Sequence, residues 1–208
     1  MHGKTTRLPL AGAAVLLGLC LLATASSAPA GTPRQLRYEV SDFRDAAGKR
    51  WIRMSYEFEC SYGQRMDKVI STLWDFRSSP KVFSRIESVR LRSDSGTAAV
   101  TEQRTVVRLL GFVFASNLVF SNSLTRRGPA AATVGFEMIE TDGSCLSSKG
   151  SWELEDRSTP DVPSTYVRYT FETDIEPRFP AQAAIMRGFG PADVKTTMRE
   201  LGQAMARS

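Results

Sequence analysis

The chain has 208 residues, with 27 Lys and Arg against 22 Asp and Glu and a single histidine. That length fits one domain with a sizeable core, and the charges are interspersed, with no basic run longer than Arg126-Arg127, which argues against nucleic-acid binding by charge. The one histidine is His2, so the rest of the chain has no Ser-His or Cys-His nucleophilic pair and no histidine metal site.

Residues 1–30 read as an export leader. Lys4 and Arg7 supply the positive start, Leu8 to Leu22 the short apolar run, and Ala28-Pro29-Ala30 a small-x-small cleavage signal. The run of about 15 residues falls short of the ~20 that span a bilayer. Cys20 follows Leu19, where a lipid-attachment cysteine needs a small neighbour. Cleavage after Ala30 and a periplasmic or secreted address are expected. Removing Lys4 and Arg7 leaves 25 basic against 22 acidic residues. Such a mildly basic surface admits transient contact with a membrane surface and is equally ordinary for a solvated protein.

Residues 31–48 are expected to form a polar stub and an extra strand, Leu36 to Val40. Asp45-Ala46-Ala47-Gly48 then turns the chain into a first main strand, Trp51 to Cys60, in which Met54, Tyr56 and Phe58 share one face. Met66, Val69, Ile70 and Leu73 are spaced as one face of a short helix, and Ser78-Ser79-Pro80 opens a second. A strand meander follows: Ile86 to Arg92, Ala98 to Leu110, Phe112 to Leu124, Ala132 to Glu140, Cys145 to Asp156, and Thr165 to Ile175, separated by Gly- and Pro-containing turns. Val194, Met198, Leu201 and Met205 then mark an amphipathic helix within Pro180 to Arg207, and Gly188-Phe189-Gly190-Pro191 is expected to kink or interrupt it.

A long last strand followed at once by a long helix implies a helix lying across the concave face of an antiparallel sheet. Alternation turns Phe120, Phe136, Met138, Trp152, Val167, Tyr169 and Phe171 toward that helix. Ile185, Phe189, Met198 and Leu201 are the helix residues expected to meet them. Each of these residues taken alone reads equally as core; as a set they outline an aromatic-walled ligand site.

The order of elements resembles the START-like (helix-grip) superfamily, which includes polyketide cyclases and dehydrases, coenzyme Q-binding proteins and lipid-transfer domains. Asp67 to Phe76 looks like the family's first helix, and Pro80-Lys81-Val82-Phe83 into Ile86-Glu87-Ser88-Val89 looks like the second helix entering the next strand. Gly150 to Leu154, Thr165 to Tyr169 and Pro177 to Pro180 are similar to its last strands and their link to the helix. The resemblance covers residues 49–208. It implies an α+β helix-grip fold: a curved antiparallel sheet of about seven strands, two short helices between strands 1 and 2, and the C-terminal helix across the concave face. In the sheet order it implies, Cys60 and Cys145 lie at opposite ends of parallel strands, about ten residues apart at ~3.3 Å each, too far for a disulfide.

The expected function is binding or carriage of a hydrophobic small molecule or lipid, such as a quinone, isoprenoid, acyl chain or polycyclic. No cofactor, metal or nucleic-acid partner is expected. One alternative is a cyclase- or dehydrase-type enzyme with Glu102, Glu137, Glu153 or Asp174 as base and Tyr169 or Arg104 as hydrogen-bond donor. Alternation places Glu137, Glu153 and Asp174 on the outer face. The other alternative is a scaffold whose interior the aromatic side chains fill.

Overall fold

A computed structural model describes residues 31–109 and 112–207; the expected leader, residues 1–30, lies outside the described residues. The elements in chain order are β1 (Arg34–Arg44), β2 (Arg50–Tyr62), α1 (Met66–Trp74), α2 (Ser79–Val82), β3 (Ile86–Asp94), β4 (Ala98–Leu109), β5 (Phe112–Arg126), β6 (Ala131–Thr141), β7 (Cys145–Asp156), β8 (Thr165–Ile175) and α3 (Gln182–Arg207). The strands form one curved, open antiparallel sheet in the order β1-β2-β8-β7-β6-β5-β4-β3.

The sheet has eight strands rather than about seven. The extra arm pairs with β2 along its length, from Arg44 opposite Arg50 to Arg34 opposite Glu59. Its sequence shows only Leu36 to Val40 because it is an edge strand, mostly solvated, with little apolar alternation to mark its ends. The two short helices therefore fall between β2 and β3.

Turn chemistry sets the hairpins. Gly48 joins β1 to β2 with φ +78°, a conformation that disfavours a Cβ, and Asp45 Oδ1 accepts from the backbone N–H of Ala47 and Lys49, both at 2.9 Å. Bulges help bend the sheet. Ile139 and Leu146 sit at register shifts in the β5–β6 and β7–β8 ladders, and both turn outward, 53% and 47% exposed.

The helices bury the faces their spacing predicts. Met66, Val69, Ile70 and Leu73 of α1 and Val194, Met198, Leu201 and Met205 of α3 are all buried, packed with Phe58, Tyr62, Leu154 and Val167 of the sheet. Burying each such side chain contributes roughly 1.5–3 kcal/mol. Tyr62 fixes the helix axially, its hydroxyl donating to Met198 O at 2.8 Å.

The expected interruption at Gly188 to Pro191 is absent: α3 runs unbroken through Pro191. Proline removes the N–H that would bond the Arg187 carbonyl, but the helix bonds on either side survive. The N-terminal half is held by β1 instead. Tyr38 Oη donates to Met186 O at 2.9 Å, and Arg187 Nε donates to Val40 O at 3.2 Å. Gly190 makes this possible, because a Cβ there would run into the Tyr38 ring and hydroxyl.

Cys60 lies opposite Val167, whereas Cys145 lies opposite Ile175, which in turn faces Ile52. The thiols are thus about eight residues apart along parallel strands, roughly 26 Å. Both cysteines are free and buried.

Candidate ligand-binding cavity

The two halves of α3 do different things. Its C-terminal half sits on solid core; its N-terminal half stands off from the sheet and roofs a cavity of about 410 Å³. That volume lies within the range of small-molecule pockets. The walls are the inward side chains of β2 and β4 to β8. One end of the cavity lies at Trp152, Tyr169, Tyr56 and Arg85. The other lies where Phe114 of β5 meets Phe179 of the link from β8 to α3, near Val107, Glu176 and Arg178. Arg178 is exposed, so this second end opens to solvent.

Aromatic rings cover the floor. Trp152 stacks on Tyr169 with centroids 3.8 Å apart and 8° between planes; Tyr56 stacks on Phe171 at 5.0 Å; Phe136 meets Phe120 edge-on and Phe171 at a tilt, each at 6.0 Å. Such pairs add stability beyond their buried area and fix ring positions. Gly150 belongs to this layer. The Phe136 ring lies over it, and any Cβ there would collide with that ring and with Thr170 O.

Polar groups gather at the inner end. Tyr56 Oη lies 3.4 Å from Tyr169 Oη, and Arg85, in the link from α2 to β3, lies close enough to Tyr38, Tyr56 and Tyr169 to lower the pKa of all three. Burial outweighs that effect. It pushes the Tyr38 phenol up to about 12, and Tyr56 and Tyr169 are raised as well. All three are therefore hydrogen-bond donors at neutral pH. Burial also lowers the Arg85 guanidinium from its ordinary value, with the phenols and Glu200 opposing, and Arg85 pairs with Asp193 of α3. At the open end Glu176 pairs with Lys49 at 3.2 Å.

Seven of the eleven residues singled out from sequence line this space: Phe120, Phe136, Trp152, Tyr169, Phe171, Ile185 and Phe189. Four do not. Val167, Met198 and Leu201 are fully buried in the core beneath the C-terminal half of α3, where helix and sheet are in contact. Met138 packs instead against Leu118, Phe120 and Cys145, beside the bulge at Ile139. Alternation finds the correct face of a strand but not how far along it the helix lifts away. Tyr38, Phe83, Arg85 and Asp193 were missed. Tyr38 belongs to a weakly patterned edge strand, and Arg85 sits in a short link with no periodicity to read.

None of the carboxylates considered as bases lines the cavity. Glu102 pairs with Arg90 and Arg92; Asp174 takes a bidentate pair from Arg53, at 2.8 and 2.9 Å; Glu137 and Glu153 lie on the outer face of their strands. Arg104 is likewise outside, paired with Glu87. No group of three or more His, Cys, Asp or Glu able to hold a metal occurs among the described residues.

Known proteins share this architecture. A STAR-related lipid transfer protein from Xanthomonas axonopodis superposes with a TM-score of 0.56 at 17% identity, covering 80% of this chain and 98% of that one. An aromatase/cyclase, ZhuI, from a Streptomyces species gives 0.56 at 16% identity, over 74% and 95% of the two chains. Human STARD10 gives 0.57 at 10% identity, over 82% and 73%. At such identities the likeness is one of fold. No curated protein matches the sequence at a significant level. Residues 64–201, by contrast, match a family model described as polyketide cyclase / dehydrase and lipid transport. The match spans about two thirds of the chain, from the entry to α1 to the last turns of α3, and the fold around it is the helix-grip of START proteins. This chain belongs to the polyketide cyclase/dehydrase and lipid transport family.

Proposed function

We propose that this protein binds and carries a hydrophobic small molecule or lipid in the cavity between its sheet and α3. The observation that carries the reading is the open, aromatic-floored space of about 410 Å³ with a few convergent polar groups. It counts against an interior filled by its own side chains. Burying ~300 Å² of ligand hydrocarbon at about 25 cal/mol per Å² gives roughly 7–8 kcal/mol before entropy costs, enough for micromolar binding at best. The family's description, which includes lipid transport, and the Xanthomonas axonopodis structure named as a lipid transfer protein support the same class of cargo.

The enzymatic alternative needs an inward base. The only cavity-lining carboxylates among the described residues, Asp193 and Glu176, are both committed to ion pairs. Carriage is therefore the better reading. Residues 1–30, with their basic start, apolar run and small-residue cleavage signal, support export, and amino-terminal sequencing of protein from a periplasmic fraction tests that.

The central test is native mass spectrometry with organic extraction on protein purified without detergent. A discrete co-purifying lipid, quinone or polycyclic is expected. Trp152 is the one tryptophan of the described residues that lines the cavity, so its emission should respond to ligand and the response should vanish in Trp152→Phe. Protein that carries nothing and takes up no fluorescent lipid would overturn the proposal.

A further inference from the structure

Where the cavity floor across β2 and β6 to β8 is aromatic, the wall made by β4 and β5 carries polar side chains: Gln103, Thr105, Ser116 and Asn122 all line it. Asn122 is only 5% exposed, and its amide nitrogen is turned into the sheet. Nδ2 donates to Thr101 Oγ1 at 3.0 Å and toward the carbonyl oxygens of Ala99 and Phe120, both at 3.3 Å. Those two carbonyls fix which way the carboxamide points, because the reversed amide would set its oxygen against both of them. Thr101 is fully buried and also accepts from Gln103 Nε2 at 3.1 Å, so the anchor is itself held. Asn122 Oδ1 is left without a hydrogen bond among the described residues. It is not sealed off, since the one unpartnered side-chain nitrogen or oxygen without accessible surface among those residues is Arg168 Nε. The open oxygen of Asn122 therefore faces the cavity.

A carboxamide oxygen accepts hydrogen bonds and cannot donate one. Buried polar groups in native proteins are nearly always paired, and an open acceptor among apolar groups is costly until a donor arrives. We infer that Asn122 Oδ1 is a specificity-determining subsite for a ligand hydroxyl, so that the cargo is a hydroxylated hydrophobe, an alcohol or phenol, and not a bare hydrocarbon, ether or ester. An ammonium donor fits poorly. The cavity-lining carboxylates, Asp193 and Glu176, are already paired with Arg85 and Lys49, so a buried cation would lack a counter-ion. Strand register says where the rest of the ligand lies. Asn122 is opposite Phe136 of β6, which is opposite Gly150 of β7, and the Phe136 ring lies over that glycine. A ring system laid on Phe136 brings a hydroxyl on its edge to Asn122. This rests on the carrier reading and specifies which hydrophobic molecules the cavity prefers.

The test titrates phenanthrol and methoxyphenanthrene, substituted at the same carbon, into the full chain with probe emission as the signal. The two share a ring system, and only the phenol can donate. It is expected to bind about tenfold more tightly, a difference of about 1.4 kcal/mol. Asn122→Leu, close in volume but without an acceptor, should abolish that preference while the ether binds as before. Ser148→Ala should leave the preference intact. Ser148 also lines the cavity, 4% exposed and with no hydrogen bond from its hydroxyl among the described residues, but a hydroxyl donates or accepts and so serves either probe. Circular dichroism verifies the fold of each variant, and Asn122→Ala takes the place of Asn122→Leu if the latter does not fold. Equal binding of the two probes by the unsubstituted protein overturns the inference. So does a preference that survives loss of Asn122, which marks steric exclusion of the methyl group or a hydroxyl held elsewhere. Failure of both probes in protein that takes up a fluorescent lipid overturns it too. Protein that takes up neither probe nor lipid overturns the carrier reading itself, so the two failures are distinguishable.

Discussion

Asp174 shows how one residue can be misjudged from alternation alone. It lies on the outer face, as its position in β8 requires, yet it is only 3% exposed. Burial by itself would raise its carboxyl, but Arg53, Ser147 and Lys149 together hold it below the usual carboxylate range. The residue is structural. Arg53→Ala should cost ~2–3 kcal/mol in urea unfolding, because it leaves a buried carboxylate with only Ser147 Oγ, at 3.0 Å, as its side-chain donor. The pH dependence has a definite sign. A carboxyl depressed in the folded state contributes stability above its unfolded value, near 3.9, and loses it as pH falls through the folded value. The acid limb of wild-type stability should therefore be blunted in Arg53→Ala. The phenols act in the opposite sense. Tyr38, at about 12 when folded, contributes stability that is complete below pH ~10 and is lost as pH rises toward 12, and Tyr56, Tyr62 and Tyr169 are shifted in the same direction. Tyrosinate absorbance should thus appear late and steeply, together with unfolding, rather than gradually around pH 10. A gradual titration of folded protein would show that these rings are open to solvent.

At the scale of elements, α3 is one helix with two roles, divided near Pro191. The C-terminal half is fixed by Val194, Met198, Leu201 and Met205, and the N-terminal half chiefly by β1 through Tyr38 and Arg187. The added edge strand is therefore what positions the cavity roof. Gly190→Ala should displace Tyr38 and release that half, seen as faster amide exchange over residues 182–190 with little change over 194–205. Tyr38→Ala removes the colliding ring. In a double-mutant cycle the two changes should be non-additive by ~1 kcal/mol or more, with the double variant less destabilised than the sum. Additive effects would mean that Tyr38 and Gly190 do not share a contact that matters.

Across the whole molecule, the sheet order separates the two thiols by roughly 26 Å, against the ~7 Å between Cα atoms that a bridge tolerates. Mass mapping without reductant should find Cys60 and Cys145 unpaired, even in protein from an oxidising compartment, and a Cys60–Cys145 bridge would refute the strand order. The same order explains which of the sequence expectations survive. The faces of α1, β7, β8 and the second half of α3 were legible, because burial on one side writes a period of 3.6 or 2 into the sequence. The added strand β1 was only half legible, since an edge strand needs little apolar patterning. At Gly188 to Pro191, where local propensity predicts a kink or an interruption, the helix is uninterrupted, held to β1 through Tyr38 and Arg187.

The sequence by itself determined the succession of elements, the inward faces of α1, β2, β7, β8 and the second half of α3, and the absence of histidine chemistry outside residues 1–30, because these depend on residue type and local spacing. Only the tertiary structure decided where α3 stands clear of the sheet, and so that Trp152 and Tyr169 line a cavity while Val167 and Leu201, of the same pattern, are core. It also brought Arg85 to three phenols. Those relations join residues tens of positions apart, and no local periodicity records a distance that long-range strand pairing creates.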